Sequence, residues 1–427
     1  MVEPLAGHGE VSPSRENERP APTRVALLFE SFPSVTEPYL LSVAERLADR
    51  GMLKAAFSVK PATLPRDRRL DVSSRLRDRI HYLPTQQMAH VAMGRFSRDL
   101  LRGLFSNPRG LGALFRATRR ARGSFRAALR SFATLLPMAP FLRGVIHIEA
   151  SWLAQRFPEI LDIPGLEVVV SFRGHDMAVR PRYDPEWVCC LQEKIFPKAS
   201  RLHFVSQFLC RTAEVLGVPP EKCVVPSQSI ADAFFDVERS PGEDVPLLVC
   251  VGRLVWIKGF QYAIEAAHSL KGRNVRFRLV IIGDGADRAF LDLLIAHRRL
   301  EREVELLGAV PSDEVRANLS KAAVFICPSV SPSESLGRQL MEAQAVGVPI
   351  VATNVGGITE CVEDGVTAFC VPPFEAEAIA EKLVYLLEHP DVASRMGEAG
   401  RKRARLRFRV DAELAAWEII YAEMLRR

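Results

Sequence analysis

Residues 331–360 read SPSESLGRQLMEAQAVGVPIVATNVGGITE, and their pattern decides the fold class. Just before them, residues 321–327 (KAAVFIC) form a short apolar run with the composition of a buried strand. A polar loop over 328–335 carries Glu334, and residues 336–346 have helical spacing, with Ser333 and Ser335 as candidate N-caps and Gly347 as the stop. Residues 349–353 (PIVAT) then resume as a second buried strand. Strand, loop, helix, strand is the repeating unit of a doubly wound α/β sheet. The pattern puts Glu334 at a helix entrance and Glu342 one to two turns inside it. A helix entrance offers unpaired amides and the positive end of the dipole, which favour an anion such as phosphate. A carboxylate there is suited to accepting hydrogen bonds from hydroxyls, as a sugar provides. Spacing alone leaves a plainer reading open, with Glu334 a favourable charge near a helix start and Glu342 on a solvated face.

Working outward, the same rhythm fills the second half of the chain. From residue 246 the strands LLVCV, FRLVII and VELLG alternate with helices, and residues 251–259 (VGRLVWIKG) set Arg253 and Lys258 just beyond the first of these strands. Two cations beside glycines on a strand-end loop suit a diphosphate, since arginine offers a planar fork and lysine a mobile point charge. The first half shows strands at 25–30, 145–151, 166–171, 202–206 and 222–226. Its first strand-to-helix loop holds Thr36 and Glu37, and the strand ending at residue 171 runs into Phe172-Arg173-Gly174-His175-Asp176. Strand ends of this kind point into the crevice where ligands bind. The glycine fingerprint of dinucleotide binding is absent after the first strand, so no NAD site is expected. The turn-rich stretch 238–246 (ERSPGEDVP) marks the boundary. The expected organisation is a disordered lead-in over 1–23, one domain over 24–240, a second over 241–405, and a final helical segment over 406–427.

Composition is that of a globular protein, with 48% hydrophobic and 25% charged residues among 427. No apolar run reaches the roughly 20 residues that span a bilayer, and the lead-in lacks the apolar core of a secretory signal. The eight cysteines are scattered without a C-x-x-C pair, which points away from zinc and towards a reducing cytoplasm. The net charge of +6 is unevenly spread. Between residues 95 and 130 Arg95, Arg98, Arg102, Arg109, Arg116, Arg119, Arg120, Arg122, Arg126 and Arg130 are opposed only by Asp99. This stretch reads either as a basic amphipathic surface for an anionic membrane or lipid-linked substrate, or as a solvated helical insertion. Nucleic acid fits less well, because the interleaved aromatics are almost all Phe at helix-core spacing.

Taken in order, the G-R-x-x-x-x-K-G of 252–259, Gly283 and Gly285, Glu334 with Glu342 eight positions on, and Gly356-Gly357-Ile358-Thr359-Glu360 form one set. The set resembles the retaining glycosyltransferases of the family-four group, whose GT-B architecture has two facing Rossmann-like domains and a C-terminal helix crossing back to the first. The resemblance is strong from about residue 245 onward and looser over 25–235. FPSVTEPYLL, S-F-R-G-x-D and E-A-Q-A are similar to segments of bacterial exopolysaccharide, colanic-acid-type enzymes. It implies transfer of a sugar from a nucleotide-diphosphate donor to a glycan or lipid-linked acceptor, on the cytoplasmic side or the inner face of the membrane, without nucleic acid, metal or further cofactor. Arg253 and Lys258 would grip the diphosphate, Glu334 the transferred sugar, and Glu342 the ribose, with Gly252, Gly283, Gly285, Val310, Ser335, Leu336 and Gly337 completing the donor side. Arg173 and Asp176 would join the catalytic group, and Thr36, Glu37, Glu149 and His175 would face the acceptor. Departures fall on the acceptor side: many relatives have histidine at Arg173 and an H-x-H pair where Glu149 and Ser151 stand. A sugar-nucleotide epimerase and a non-catalytic membrane-binding protein are the competing readings. The role of Arg338 is left open.

Overall fold

The computed structural model describes residues 24–34, 38–60, 72–84, 92–240 and 244–426. The lead-in over 1–23, together with Thr36 and Glu37, therefore lies outside the described residues. Two parallel sheets organise the chain. The first holds β1 (Val25–Ser31), β2 (Leu53–Lys60), β3 (Ile80–Tyr82), β4 (Gly144–Ile148), β5 (Leu166–Phe172), β6 (Arg201–Phe204) and β7 (Cys223–Val224). Its order is β3-β2-β1-β4-β5-β6-β7, with β1 pairing Val25 to Val145 of β4 and Ala26 to Ala55 of β2. The second holds β8 (Leu247–Val251), β9 (Arg278–Ile282), β10 (Val304–Gly308), β11 (Ala322–Cys327), β12 (Ile350–Thr353) and β13 (Phe369–Val371), in the order β10-β9-β8-β11-β12-β13. The strands are near-continuous apolar runs because helices cover both faces of each sheet.

Both sheets change winding direction at one point, between β1 and β4 in the first and between β8 and β11 in the second. Loops leaving two strands that wind in opposite directions splay apart and open a crevice at the carboxyl ends. The helices used below are α1 (Pro38–Asp49), α2 (Ala92–Ser106), α3 (Pro108–Ala121), α4 (Phe125–Leu135), α5 (Gln207–Glu214), α6 (Arg338–Val346) and α7 (Val410–Leu425). The arginine-rich stretch forms α2 to α4, whose Leu111, Leu114, Phe132 and Leu135 dock on one face of the first sheet. The opposite face is closed by α1 and by α7, which crosses back from the second domain. Leu414, Trp417, Tyr421 and Met424 pack there with Val25, Leu27 and Phe29, the crossing that the GT-B resemblance implies. Arg50 ties α1 to α7 through Asp411 at 2.7 Å and Glu418 at 2.9 Å. Ile230, Phe234 and Phe235 join the core of the second domain, so that core begins to collect side chains ahead of β8.

The expected strands appear together with β2, β3 and β13, which the sequence reading does not mark, and β4 ends at Ile148, short of the expected 151; the helix of the opening stretch also differs. The helix begins at Arg338, not 336, and Gly337 in the left-handed region stands at its N-cap with no side-chain cap. Ser333 and Ser335 are engaged elsewhere, as described below. Gly347 ends the helix at φ +82° as expected. Among the described residues no helix is long and apolar enough to cross a membrane.

Candidate active site

The loops after β8 and β11 meet at the switch point of the second sheet, stitched by Val330 N–H to the Ile257 carbonyl at 2.9 Å. Gly259 makes the approach feasible: at φ +66°, a Cβ there would sit 2.0 Å from the Pro328 carbonyl oxygen. Lys258 thereby reaches across to form an ion pair with Glu334 Oε2, which also accepts from Ser329 Oγ at 3.0 Å. Burial alone would raise the Glu334 carboxyl, but the Lys258 charge and hydrogen bonds from Lys258, Ser329 and Gln339 hold it below its ordinary range. Glu334 is an anion fixed in place.

Along α6 the side chains at 338 and 342 lie one above the other. Glu342 is partly buried, and burial pushes its carboxyl up to about 7 against the opposing fields of Arg338 and Arg316. Arg338 stacks over the ring of Tyr39 from α1, a contact from one domain to the other, and its Nη1 is buried without a hydrogen-bond partner.

The facing wall comes from the loop after β5. Arg173 forms an ion pair with Glu149, donates Nε to the Glu149 carbonyl at 3.1 Å and donates Nη1 to Tyr39 OH at 2.8 Å. Its own carbonyl accepts from Ser335 Oγ at 2.7 Å, so the serine expected to cap α6 bridges the domains. A second bridge lies at the end of the opening stretch. Glu360 accepts from Gln207 N–H at 2.7 Å and Phe208 N–H at 2.5 Å, capping α5 of the first domain, with Arg211 at 3.5 Å.

A crevice of about 410 Å³ results, lined by Arg173, Arg253, Lys258, Glu334, Ser335, Leu336, Gly337 and Glu342 from the expected set. Tyr39, Gln228, Arg338 and Gln339 also line it. Among the described residues Arg253 and Arg338 have no ion-pair partner there, whereas Lys258 and Arg173 do.

Several expected site residues stand outside the crevice. Asp176 is 3% exposed, and its oxygens take Ser151 Oγ and the amides of Arg173 and Gly174; it shapes the loop that carries Arg173 instead of meeting a ligand. Glu149 acts through Arg173, and burial lifts its carboxyl while the Arg173 charge opposes that rise. His175 is exposed beside Tyr183 OH at 3.1 Å. Val310 packs on the core of the second domain. Gly283 and Gly285 let the strand-end loops close up, since a Cβ at either would lie 1.8 Å from Gly252 O or 2.3 Å from Leu254 O. Gly252 sits at that junction beneath Lys258.

Sequence reasoning did not single out the polar chain behind this wall. Tyr421 OH, His147 Nδ1, His147 Nε2, Ser171 Oγ and His203 Nδ1 are linked at 2.8, 2.7 and 2.7 Å, and His203 Nε2 lies 3.3 Å from Gln228. Burial, then the Arg173 charge, lowers the His147 ring to about 3, so it is neutral at ordinary pH. A histidine inside each of two apolar strands, at 147 and 203, was the available signal. Among the described residues no three His, Cys, Asp or Glu side chains gather as around a metal ion.

Residues 233–403 match the family described as Glycosyl transferases group 1. The chain is 32% identical over 249 residues to the putative colanic acid biosynthesis glycosyltransferase WcaL of Salmonella typhimurium, covering 56% of this chain and 60% of that protein. The alpha-D-kanosaminyltransferase of Streptomyces kanamyceticus is 27% identical over 381 residues, 84% of this chain and 91% of that one. Among solved structures, Anabaena Alr3699/HepE in complex with UDP superposes with a TM-score of 0.68 at 16% identity, covering 94% of this chain and 100% of that chain. The fold is GT-B, and its motifs resemble those of exopolysaccharide glycosyltransferases.

Proposed function

We propose that this GT-B protein is a retaining glycosyltransferase that moves a sugar from a nucleotide-diphosphate donor to a hydroxyl of a lipid-linked or other glycan acceptor, in cell-surface polysaccharide biosynthesis. The observation that carries the reading is the convergence of Arg253, Lys258, Glu334 and Glu342 on one crevice at a topological switch point, opposite Arg173 of the other domain. Glu334, held ionised by Lys258, accepts hydrogen bonds from the transferred sugar, and Glu342 takes the ribose hydroxyls. The glycosidic C–O bond breaks with its electron pair passing to the diphosphate, the acceptor hydroxyl attacks from the same face, and its proton goes to a diphosphate oxygen. Arg253, Lys258 and the uncapped amides at the start of α6 stabilise the charge that develops, the part a divalent ion plays in other enzymes. The carboxylates of Asp176 and Glu149 are spoken for by their own partners, which favours same-face attack over a covalent intermediate. The UDP complex of the structural neighbour supports a nucleotide donor.

The outer surface of α2 to α4 supports peripheral attachment to an anionic membrane. Leu101, Leu104, Phe105 and Phe125 are exposed there, Phe105 by 86%, among guanidinium groups. Arg122 is withdrawn from that surface by its pair with buried Glu159 at 2.7 Å.

A thermal-shift screen against UDP-, GDP- and ADP-sugars tests the donor reading directly. A ligand at 100 times its dissociation constant stabilises by about 2.7 kcal/mol, and one of the three should do so. With that donor, Lys258→Ala should lower turnover by about 100-fold or more. No stabilisation by any sugar nucleotide, or full turnover in the variant, refutes the assignment.

A further inference from the structure

We infer that Arg338 is a further catalytic residue, a second guanidinium placed against the donor diphosphate; the inference rests on the donor reading above. Glu334, Arg338 and Glu342 follow one another at intervals of four residues, and the latter two share one face of α6. With the sugar at Glu334 and the ribose at Glu342, the diphosphate that joins them lies between, where Arg338 stands. The guanidinium lines the crevice, and its Nη1 is buried with no hydrogen-bond partner. A buried donor left unpaired is costly, so the group is poised for an acceptor that arrives with the ligand. Its stack on Tyr39 fixes the plane of the fork from the first domain, tying its orientation to domain closure.

Charge balance in the crevice points the same way. Lys258 is already matched by Glu334 and Arg173 by Glu149, while among the described residues Arg253 and Arg338 have no ion-pair partner. A leaving diphosphate gains negative charge as the glycosidic bond breaks, and without Arg338 it would meet one unpaired arginine beside Lys258, whose charge Glu334 already matches. Arg338 supplies the second, and an arginine fork suits two phosphate oxygens at once.

The test is calorimetric, on full-length protein, with nucleoside diphosphates and the matching monophosphates of uridine, guanosine and adenosine. For the base that binds, Arg338→Gln should weaken the diphosphate by about tenfold or more and the monophosphate by less than about threefold, with Arg338→Lys in between. Turnover in the glutamine variant should fall further than ground-state affinity does. Equal losses for both nucleotides would mark Arg338 as a packing residue, and no loss would remove it from the site; either overturns the inference while leaving the donor reading intact. Wild-type protein that binds none of the diphosphates overturns the donor reading and the inference with it.

Discussion

Glu360 offers a perturbation whose effect is confined to the contact between domains. Its carboxylate is held by the second domain, yet among the described residues all its side-chain partners, the amides of Gln207 and Phe208 and the Arg211 guanidinium, belong to the first. Helix α5 already has its own cap, Ser206 Oγ on Leu209 N–H at 3.3 Å, so it does not need Glu360 to form. What Glu360 adds is two amide hydrogen bonds and a negative charge at the positive end of the helix. An N-cap contributes about 1 kcal/mol and a charge at that position about 1 kcal/mol more. Glu360→Ala should therefore disfavour the closed arrangement by about 2 kcal/mol, roughly a 30-fold change in the closing equilibrium. Small-angle scattering on the variant with bound donor should show a larger radius of gyration than wild type, and kcat/KM should fall by up to that factor. Glu360→Gln, which keeps an acceptor oxygen and loses the charge, should lie between. Unchanged scattering together with unchanged kcat/KM in Glu360→Ala would refute the reasoning, because no contact within the second domain is lost to mask the effect.

The pH dependence of stability should carry the mark of Glu342. Its folded-state value of about 7 stands above the ordinary 4.5, so folding favours the protonated form: the stabilisation is full below about 4.5 and is lost as pH rises through 7. Glu342→Gln should flatten urea-unfolding stability across that window, with a difference of at most about 3 kcal/mol; an unaltered profile counts against the raised value. Trp417 is 3% exposed between the rings of His147 and His203, at 4.5 and 4.8 Å. Trp417→Ala should cost about 3–5 kcal/mol of stability in urea, and a loss under about 1 kcal/mol would show that α7 contributes little to the first domain.

The legible part of this protein was whatever depends on local sequence. Apolar runs such as KAAVFIC and PIVAT became buried parallel strands because both faces of a doubly wound sheet are covered. The two cations and two glutamates of the second domain fell together because strand-end loops at a switch point have few other places to go. Roles decided by docking were not legible. Ser335 has the composition of a cap, yet its hydroxyl reaches Arg173 of the other domain. Asp176 looks like a site residue by position and is turned inward by Ser151 and two amides. Gln228 has no pattern around it at all, and it reaches the crevice from the segment after β7, beside His203. Arg338 shows the boundary well: its helical register with Glu342 is written in the chain, but its stack on Tyr39 needs the first domain in place.

The crossing helix also inverts the order in which the two halves can be completed. The first domain leaves the ribosome early, yet one face of its sheet waits for Leu414, Trp417 and Tyr421, which are made after every strand of the second domain. Until then Val25, Leu27 and Phe29 have only part of their cover, an apolar surface of the kind that chaperones hold and that leads to aggregation. The second domain has no such debt to a later segment of comparable size. Vectorial synthesis thus sets the earlier half to mature last, and a fragment ending at Arg409, ahead of α7, should be recovered with the second domain folded and the first one sticky.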